Sequence, residues 1–392
     1  LLGGMTLRGS RGTFGRTVGG RRSCCWKLLI VGLATAIIVF FCYSLLMLIP
    51  KRKAFTPFPW TVNVARNLSA YILPDTDTTL IQPLDICQPD KGPLGMPFIL
   101  FVIPSAINNT QEREIIRQTW GLWADNSKQL EEEEEEQQSR YSNSAGAKPK
   151  ISAPQASRLL FLLGRDHSKT GISAVLVEES QRYADIIVED FIDSYSNLTL
   201  KTVFILKWVH QNCPGVKFLM KADDDMFVNV PNLQKTLMNQ TFSTRLIMGS
   251  QICGARPIHS IDSKWYTPQH MYNEKVYPNY VSGTGYVMSG DVVEPLLKTA
   301  AVTPYFHLED VFLTGICAKA IGLRPQDNRG FSYQPRALSK CLYKKIITSH
   351  QVNTKDMQRI WSLLNQENVT EKCKPLTKKQ LRSYDPGKCT WK

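Results

Sequence analysis

Val216-Lys-Phe-Leu-Met-Lys-Ala-Asp-Asp-Asp-Met-Phe-Val-Asn229 decides how the rest of the chain is read. An apolar run of strand length, 216–220, leads into three consecutive carboxylates, Asp223, Asp224 and Asp225, and a second apolar stretch follows. In open α/β sheets, ligands bind beyond the carboxyl ends of the strands. Three crowded like charges repel, and a hard cation is the simplest way to relieve them. The plain alternative is a solvated acidic turn. An EF-hand is excluded, because its loop needs Gly at the sixth position and Glu at the twelfth. Counted from Asp223, these positions hold Val228 and Gln234.

Outward from this stretch, strand-like and helix-like segments alternate. The run 98–103 reads as a strand and 112–120 as a helix capped by Thr110. The runs 158–163 and 185–188 read as strands, and 172–183 and 198–211 as helices. Later come strands near 246–248, 286–288 and 344–349, and helices over 309–321 and 356–364. Such alternation predicts an α/β fold with a mainly parallel sheet covered by helices on both faces. Residues 124–157 break the pattern with six consecutive glutamates, Glu131 to Glu136, in a Ser/Gln/Pro-rich tract. The expectation there is a disordered acidic insert. The catalytic domain is expected over 96–392.

The chain has 392 residues, 43% hydrophobic and 21% charged, with a formal net charge of +13. Nine of its 47 Lys and Arg fall within residues 1–53, where there is no Asp or Glu. That leaves 38 basic against 34 acidic residues over 54–392, a net of +4, which speaks against a nucleic-acid surface. The basic excess flanks Leu28 to Ile49, twenty-two residues without a charge. A helix needs about 20 apolar residues to cross a bilayer. The run ends beside Lys51-Arg52-Lys53 with no small-residue cleavage site, so it reads as an uncleaved anchor with a cytosolic tail at 1–27. Residues 50–95, proline-rich and without periodicity, read as a stem. After the anchor come seven widely spaced cysteines, an odd count. In an oxidising compartment this leaves one thiol free or paired between chains of a homo-oligomer. Sequons stand at Asn67, Asn108, Asn197, Asn239 and Asn368, all beyond the anchor.

Six blocks in order carry a resemblance. They are 113–121 (Arg-Glu-Ile-Ile-Arg-Gln-Thr-Trp-Gly), 161–164, 190–202, the Asp triplet, 277–289 and 309–312 (Glu-Asp-Val-Phe). Together they resemble the β1,3-glycosyltransferases of GT-A type, and most of all the β1,3-galactosyltransferase branch. The resemblance implies a GT-A-like fold behind a single transmembrane helix, in a single-pass type II protein of the Golgi membrane. It also implies a UDP-galactose donor and a glycan acceptor ending in N-acetylhexosamine, on glycoprotein or glycolipid. The rival within the family takes UDP-N-acetylglucosamine and adds it to galactose, and a rival of another class is a catalytically silent carbohydrate-binding relative.

By resemblance the cation is Mn²⁺. Asp225 is its best direct ligand and His350, ending a strand-like run, the candidate second one. Asp223 and Asp224 would then face the ribose or bound water. Arg113 and Arg117, four apart on one helix face, form either a cationic wall against the diphosphate or structural ion pairs. Gly283 and Gly285 would let backbone approach the sugar, with Tyr280 and Tyr286 stacking on it, or would mark a bulged strand. Lys264 and Trp265 resemble a segment beside the acceptor. Asp310 corresponds to the family's general base, with Glu309 orienting the acceptor, unless the pair only caps a helix.

Overall fold

The computed structural model describes residues 31–44, 66–84, 86–87, 96–125, 156–166, 171–238, 244–365, 373–377, 380 and 389. It has two units, Leu1–Thr56 and Pro57–Lys392. In the first, residues 31–44 are helical. The rest of the expected anchor lies outside the described residues, and among these no helix is long and apolar enough to cross a membrane. Residues 126–155 of the expected acidic insert also lie outside them, while its edges are ordered as a helix ending at Ala124 and a strand beginning at Ser157.

The second unit is built on a mixed eight-stranded sheet. Its strands are β1 (Thr79–Ile81), β2 (Ile99–Pro104), β3 (Ser157–Arg165), β4 (Ile186–Ile192), β5 (Phe218–Ala222), β7 (Ile247–Ile252), β8 (Tyr280–Ser289) and β9 (Gln326–Asp327), in the order β1-β4-β3-β2-β5-β8-β7-β9. A separate pair joins β6 (Phe227–Val228) to β10 (Thr348–Ser349). The inner pairs β4–β3, β3–β2 and β2–β5 are parallel, while β8 runs antiparallel to both β5 and β7. β2, β3 and β5 are near-continuous apolar runs because both faces of the sheet are covered. Successive residues take opposite sides. Leu100, Val102 and Leu219 pack with the helices Leu198–Asn212 and Val293–Val302. Phe101, Ile103, Phe218 and Met220 pack on the other side with the helices Thr110–Gln118 and Thr354–Asn365.

Three local readings need correction. The stem does not reach residue 95, because residues 66–84 are already folded onto the domain. Leu68, which precedes the short helical segment Ser69–Ile72, and Ile72 within it are both 0% exposed. β1 pairs with β4, and Cys87 is bonded to Cys213. The helix expected over 309–321 is a π-helix, Val311–Cys317, followed by a short α-helical turn. Thr314 lies inside it, and its hydroxyl donates to the Asp310 carbonyl (2.7 Å) and accepts from Val281 N–H (3.1 Å), which loosens the helical ladder locally. The strand expected over 344–349 is reduced to Thr348–Ser349, preceded by a helical turn at Lys340–Tyr343.

Six of the seven cysteines beyond residue 54 are paired, as Cys87–Cys213, Cys253–Cys389 and Cys341–Cys373. Cys317, buried, is the odd one.

Candidate active site

The acidic triplet follows β5 directly, at the carboxyl end of the parallel strands. Its members part company. Asp223 and Asp225 turn toward His350, and one ligand atom from each of the three lies within 4.8 Å of the others. Asp224 turns away, and its Oδ2 accepts from Ser105 Oγ (2.7 Å) and Asn109 Nδ2 (2.8 Å). His350 lies 3.3 Å from Asp225 through Nε2, and its Nδ1 is 2.8 Å from the Tyr333 carbonyl. That carbonyl fixes a proton on Nδ1 and makes Nε2 the nitrogen that faces the carboxylates, donating to Asp225 when protonated and offering its lone pair to a cation when not. Burial works against a charged imidazole, but the hydrogen bond and charge of Asp225 outweigh it and raise the pKa of His350. Two carboxylate oxygens and an imidazole nitrogen form a donor set that fits a divalent cation such as Mn²⁺. Asp223 therefore joins the expected ligands Asp225 and His350.

Lys221 connects this pole to a second one. Its side chain is 6% exposed, and Nζ reaches Asp223 Oδ1 at 2.6 Å and Glu309 Oε2 at 3.8 Å. The same ammonium donates to the Gly283 carbonyl. A lysine inside an apolar strand beside carboxylates was a readable signal, yet sequence reasoning gave it no role.

Glu309 and Asp310 sit against β8. Asp310 is half-buried. Its Oδ2 accepts from the Gly283 N–H (3.1 Å) and its Oδ1 from the Val311 N–H (2.9 Å), where it caps the π-helix. Burial outweighs these bonds and raises its pKa. Glu309 is 7% exposed, accepts the Tyr286 hydroxyl at 2.6 Å, and is pushed up to about 7 by burial, against the pull of Lys221. It is thus walled in behind Asp310, held to Tyr286 and near Lys221, and does not face an acceptor. Gly283 is glycine because a Cβ there would meet Glu309 Oε2 at 2.7 Å and Asp310 Cβ at 3.2 Å. At Gly285 a Cβ would meet Met226 Cε at 3.2 Å.

Other expectations change. Arg113 is 0% exposed and pairs with Glu179 at 2.7 Å, while Arg117 pairs with Glu179 (2.9 Å) and Asp185 (2.7 Å). Of the two readings for these arginines the structure displays the ion pairs, so neither forms a wall against a diphosphate. Tyr286 is fully buried and Tyr280 is 9% exposed, so neither presents a ring for stacking. Lys264 does lie on the surface, with Nζ 4.6 Å from the centroid of Trp265, which is 50% exposed. Tyr195, 56% exposed, stands near the site. Burial and then the charges of Asp310 and Asp223 raise its phenol pKa. Nothing in its sequence context separated it from its neighbours. Of the sequons, Asn67 and Asn108 are exposed, and Asn197 is half-buried with Nδ2 donating to the Ile192 carbonyl at 2.7 Å. Asn239 and Asn368 lie outside the described residues.

A family model described as Galactosyltransferase matches residues 111–329, a span that takes in the Asp triplet and Glu309–Asp310 and stops short of His350. The chain is 37% identical over 278 residues to beta-1,3-galactosyltransferase 1 of Homo sapiens, covering 71% of this chain and 77% of that protein. It is 33% identical over 300 residues to UDP-GlcNAc:betaGal beta-1,3-N-acetylglucosaminyltransferase 7 of Mus musculus, covering 74% and 69%.

Proposed function

The chain belongs to the galactosyltransferase family of β1,3-glycosyltransferases, and on that premise we propose that it moves galactose from UDP-galactose to the 3-hydroxyl of a terminal N-acetylhexosamine. Transfer is a single displacement with inversion. It needs one base to take the proton from the attacking hydroxyl as the sugar–phosphate bond breaks. Asp310 fills that role. Its carboxylate is half-buried and fixed by two backbone N–H groups, and burial makes it a stronger base than a solvated aspartate. That single carboxylate, held beside a second pole able to take a cation, carries the reading. Lys221 keeps the two poles in register, and Glu309 holds Lys221 and Tyr286 from behind.

Asp223, Asp225 and His350 would hold Mn²⁺. When bound, such a cation neutralises the charge gathering on the departing diphosphate. Lys264 and Trp265 offer an exposed aromatic face and an ammonium to the acceptor sugar.

The same reading places the enzyme in the Golgi membrane as a single-pass type II protein with its catalytic domain lumenal. Support comes from the uncharged run 28–49, from the exposed Val31, Leu33, Ile37, Phe40 and Phe41 of the helical stretch within it, and from three disulfides, which persist in oxidising compartments. The relative that transfers N-acetylglucosamine to galactose supports a second donor choice. The test is a panel of UDP-sugars with Mn²⁺ and simple N-acetylhexosamine and galactose acceptors, with Asp310→Asn as the blank. We expect transfer from UDP-galactose to N-acetylhexosamine, and a variant that binds UDP but transfers nothing. Transfer only from UDP-N-acetylglucosamine would reverse donor and acceptor, and near-normal turnover by Asp310→Asn would remove it as the base.

A further inference from the structure

Asp223 and Asp225 point one way and Asp224 the other, and the structure shows what holds them so. The backbone of the two outer residues is tied on both sides. Asp223 N–H donates to the Thr284 carbonyl on β8 at 2.9 Å, and the Asp225 carbonyl accepts from Val352 N–H at 2.9 Å. The middle residue is tied through its side chain, by the Ser105 and Asn109 bonds to one carboxylate oxygen. Asp223 to Met226 form a tight turn, closed by Met226 N–H donating to the Asp223 carbonyl at 3.2 Å, so a side chain pinned at the second position of that turn fixes how the residues on either side of it are presented.

The two donors are themselves held. Ser105 is 1% exposed, accepts from Arg113 Nη1 at 3.1 Å through its hydroxyl, and accepts from Lys201 Nζ at 2.8 Å through its carbonyl. Arg113 is locked by Glu179 in turn. Asn109 occupies the N-cap position of the helix Thr110–Gln118 but makes no side-chain cap bond. Asn is among the residues best suited to cap a helix. Here that amide is turned from the helix to Asp224. The helix gives up a cap, and the acidic turn gains an anchor.

We propose that Ser105 and Asn109 are positioning residues of the cation site, acting through Asp224, which orients Asp223 and Asp225 and is itself neither a ligand nor a ribose contact. This rests on the cation reading given above. Loss of such outer-sphere partners typically weakens a metal site by about 10–100-fold.

The test is Mn²⁺ titration of the full chain in detergent, followed by the electron paramagnetic resonance signal of free Mn²⁺, for wild type, Asn109→Ala and Ser105→Ala/Asn109→Ala. Thermal unfolding in EDTA is measured alongside. We expect the dissociation constant to rise about threefold in the single variant and about tenfold in the double one, with the metal-free melting point nearly unchanged in Asn109→Ala. Affinities within twofold of wild type in both variants overturn the inference while leaving the cation site standing. A wild-type chain that binds no Mn²⁺ overturns the cation reading and the inference with it. Should the double variant not fold, Asn109→Ala decides alone, since it removes no cap bond.

Discussion

Glu309 lies behind Asp310 with its carboxyl pushed up to about 7 by burial, Lys221 being 3.8 Å away and engaged more closely with Asp223. The folded pKa lies above the usual value of 4.5, so the protonated form favours the fold. The stability this group contributes is complete below pH 4.5 and is lost as pH rises through about 7. Glu309→Gln stays neutral throughout and should be flat over that window. Urea unfolding of both forms at a series of pH values should show wild type losing on the order of 3 kcal/mol relative to the variant. Parallel curves would sink the idea. At this scale the sequence exposed the acids but not their division of labour. The triplet and Glu309–Asp310 stand out by composition. That Asp224 departs from its neighbours depends on Ser105 and Asn109, 119 and 115 residues away, and no local pattern announces such partners. The arginines mislead for the same reason, since Glu179 lies 66 residues from Arg113.

The junction of β8 and the π-helix sets the position of the proposed base. Gly283 N–H holds Asp310, and the absence of a Cβ at Gly283 leaves room for Glu309 and Asp310. Gly283→Ala should push both carboxyls back by a few tenths of an ångström or more, because the nearest contact would be 2.7 Å. Transfer should fall more than tenfold while UDP affinity stays within twofold of wild type, read by steady-state kinetics and calorimetry. Equal loss of both would mean that Gly283 serves the nucleotide instead. Helices and strands with a clean period were legible: 158–163 and 198–211 lie within elements of the predicted type, and 98–103 falls on β2 with a one-residue offset. The π-helix was not. Its apolar positions fit a 3.6-residue period well enough, and the difference comes from Thr314 bonding across to Val281.

Across the whole domain, the segment 66–87 is the part whose sequence says least and whose contacts say most. It lacks periodicity because it is largely an edge, tied by backbone groups. Lys207, 1% exposed, donates from Nζ to the carbonyls of Ile72 (2.9 Å) and Thr76 (2.6 Å) and to Thr78 Oγ1 (2.7 Å). Glu189, also 1% exposed, accepts from Thr78 and Thr79. A chain beginning at residue 96 would lose all of these bonds and bare both charges together with the apolar surface that Leu68 and Ile72 cover. Behind a cleavable secretion signal, we expect a chain beginning at residue 57 to be secreted and to melt cooperatively, and one beginning at 96 to be retained or aggregated. Equal melting points for the two would show that the amino-terminal segment is dispensable.

The Cys87–Cys213 bond fastens this edge to the end of the helix Leu198–Asn212, closing 126 residues of chain. In the reducing cytosol that tether would not form. The edge could then peel from the sheet without any other covalent link within the described residues, baring Leu68, Ile72 and the lysine beneath. Correct assembly is in this sense conditional on geography. The same polypeptide made on the wrong side of a membrane would have the full amino-acid instructions and still lack the clasp that keeps its first strand in place.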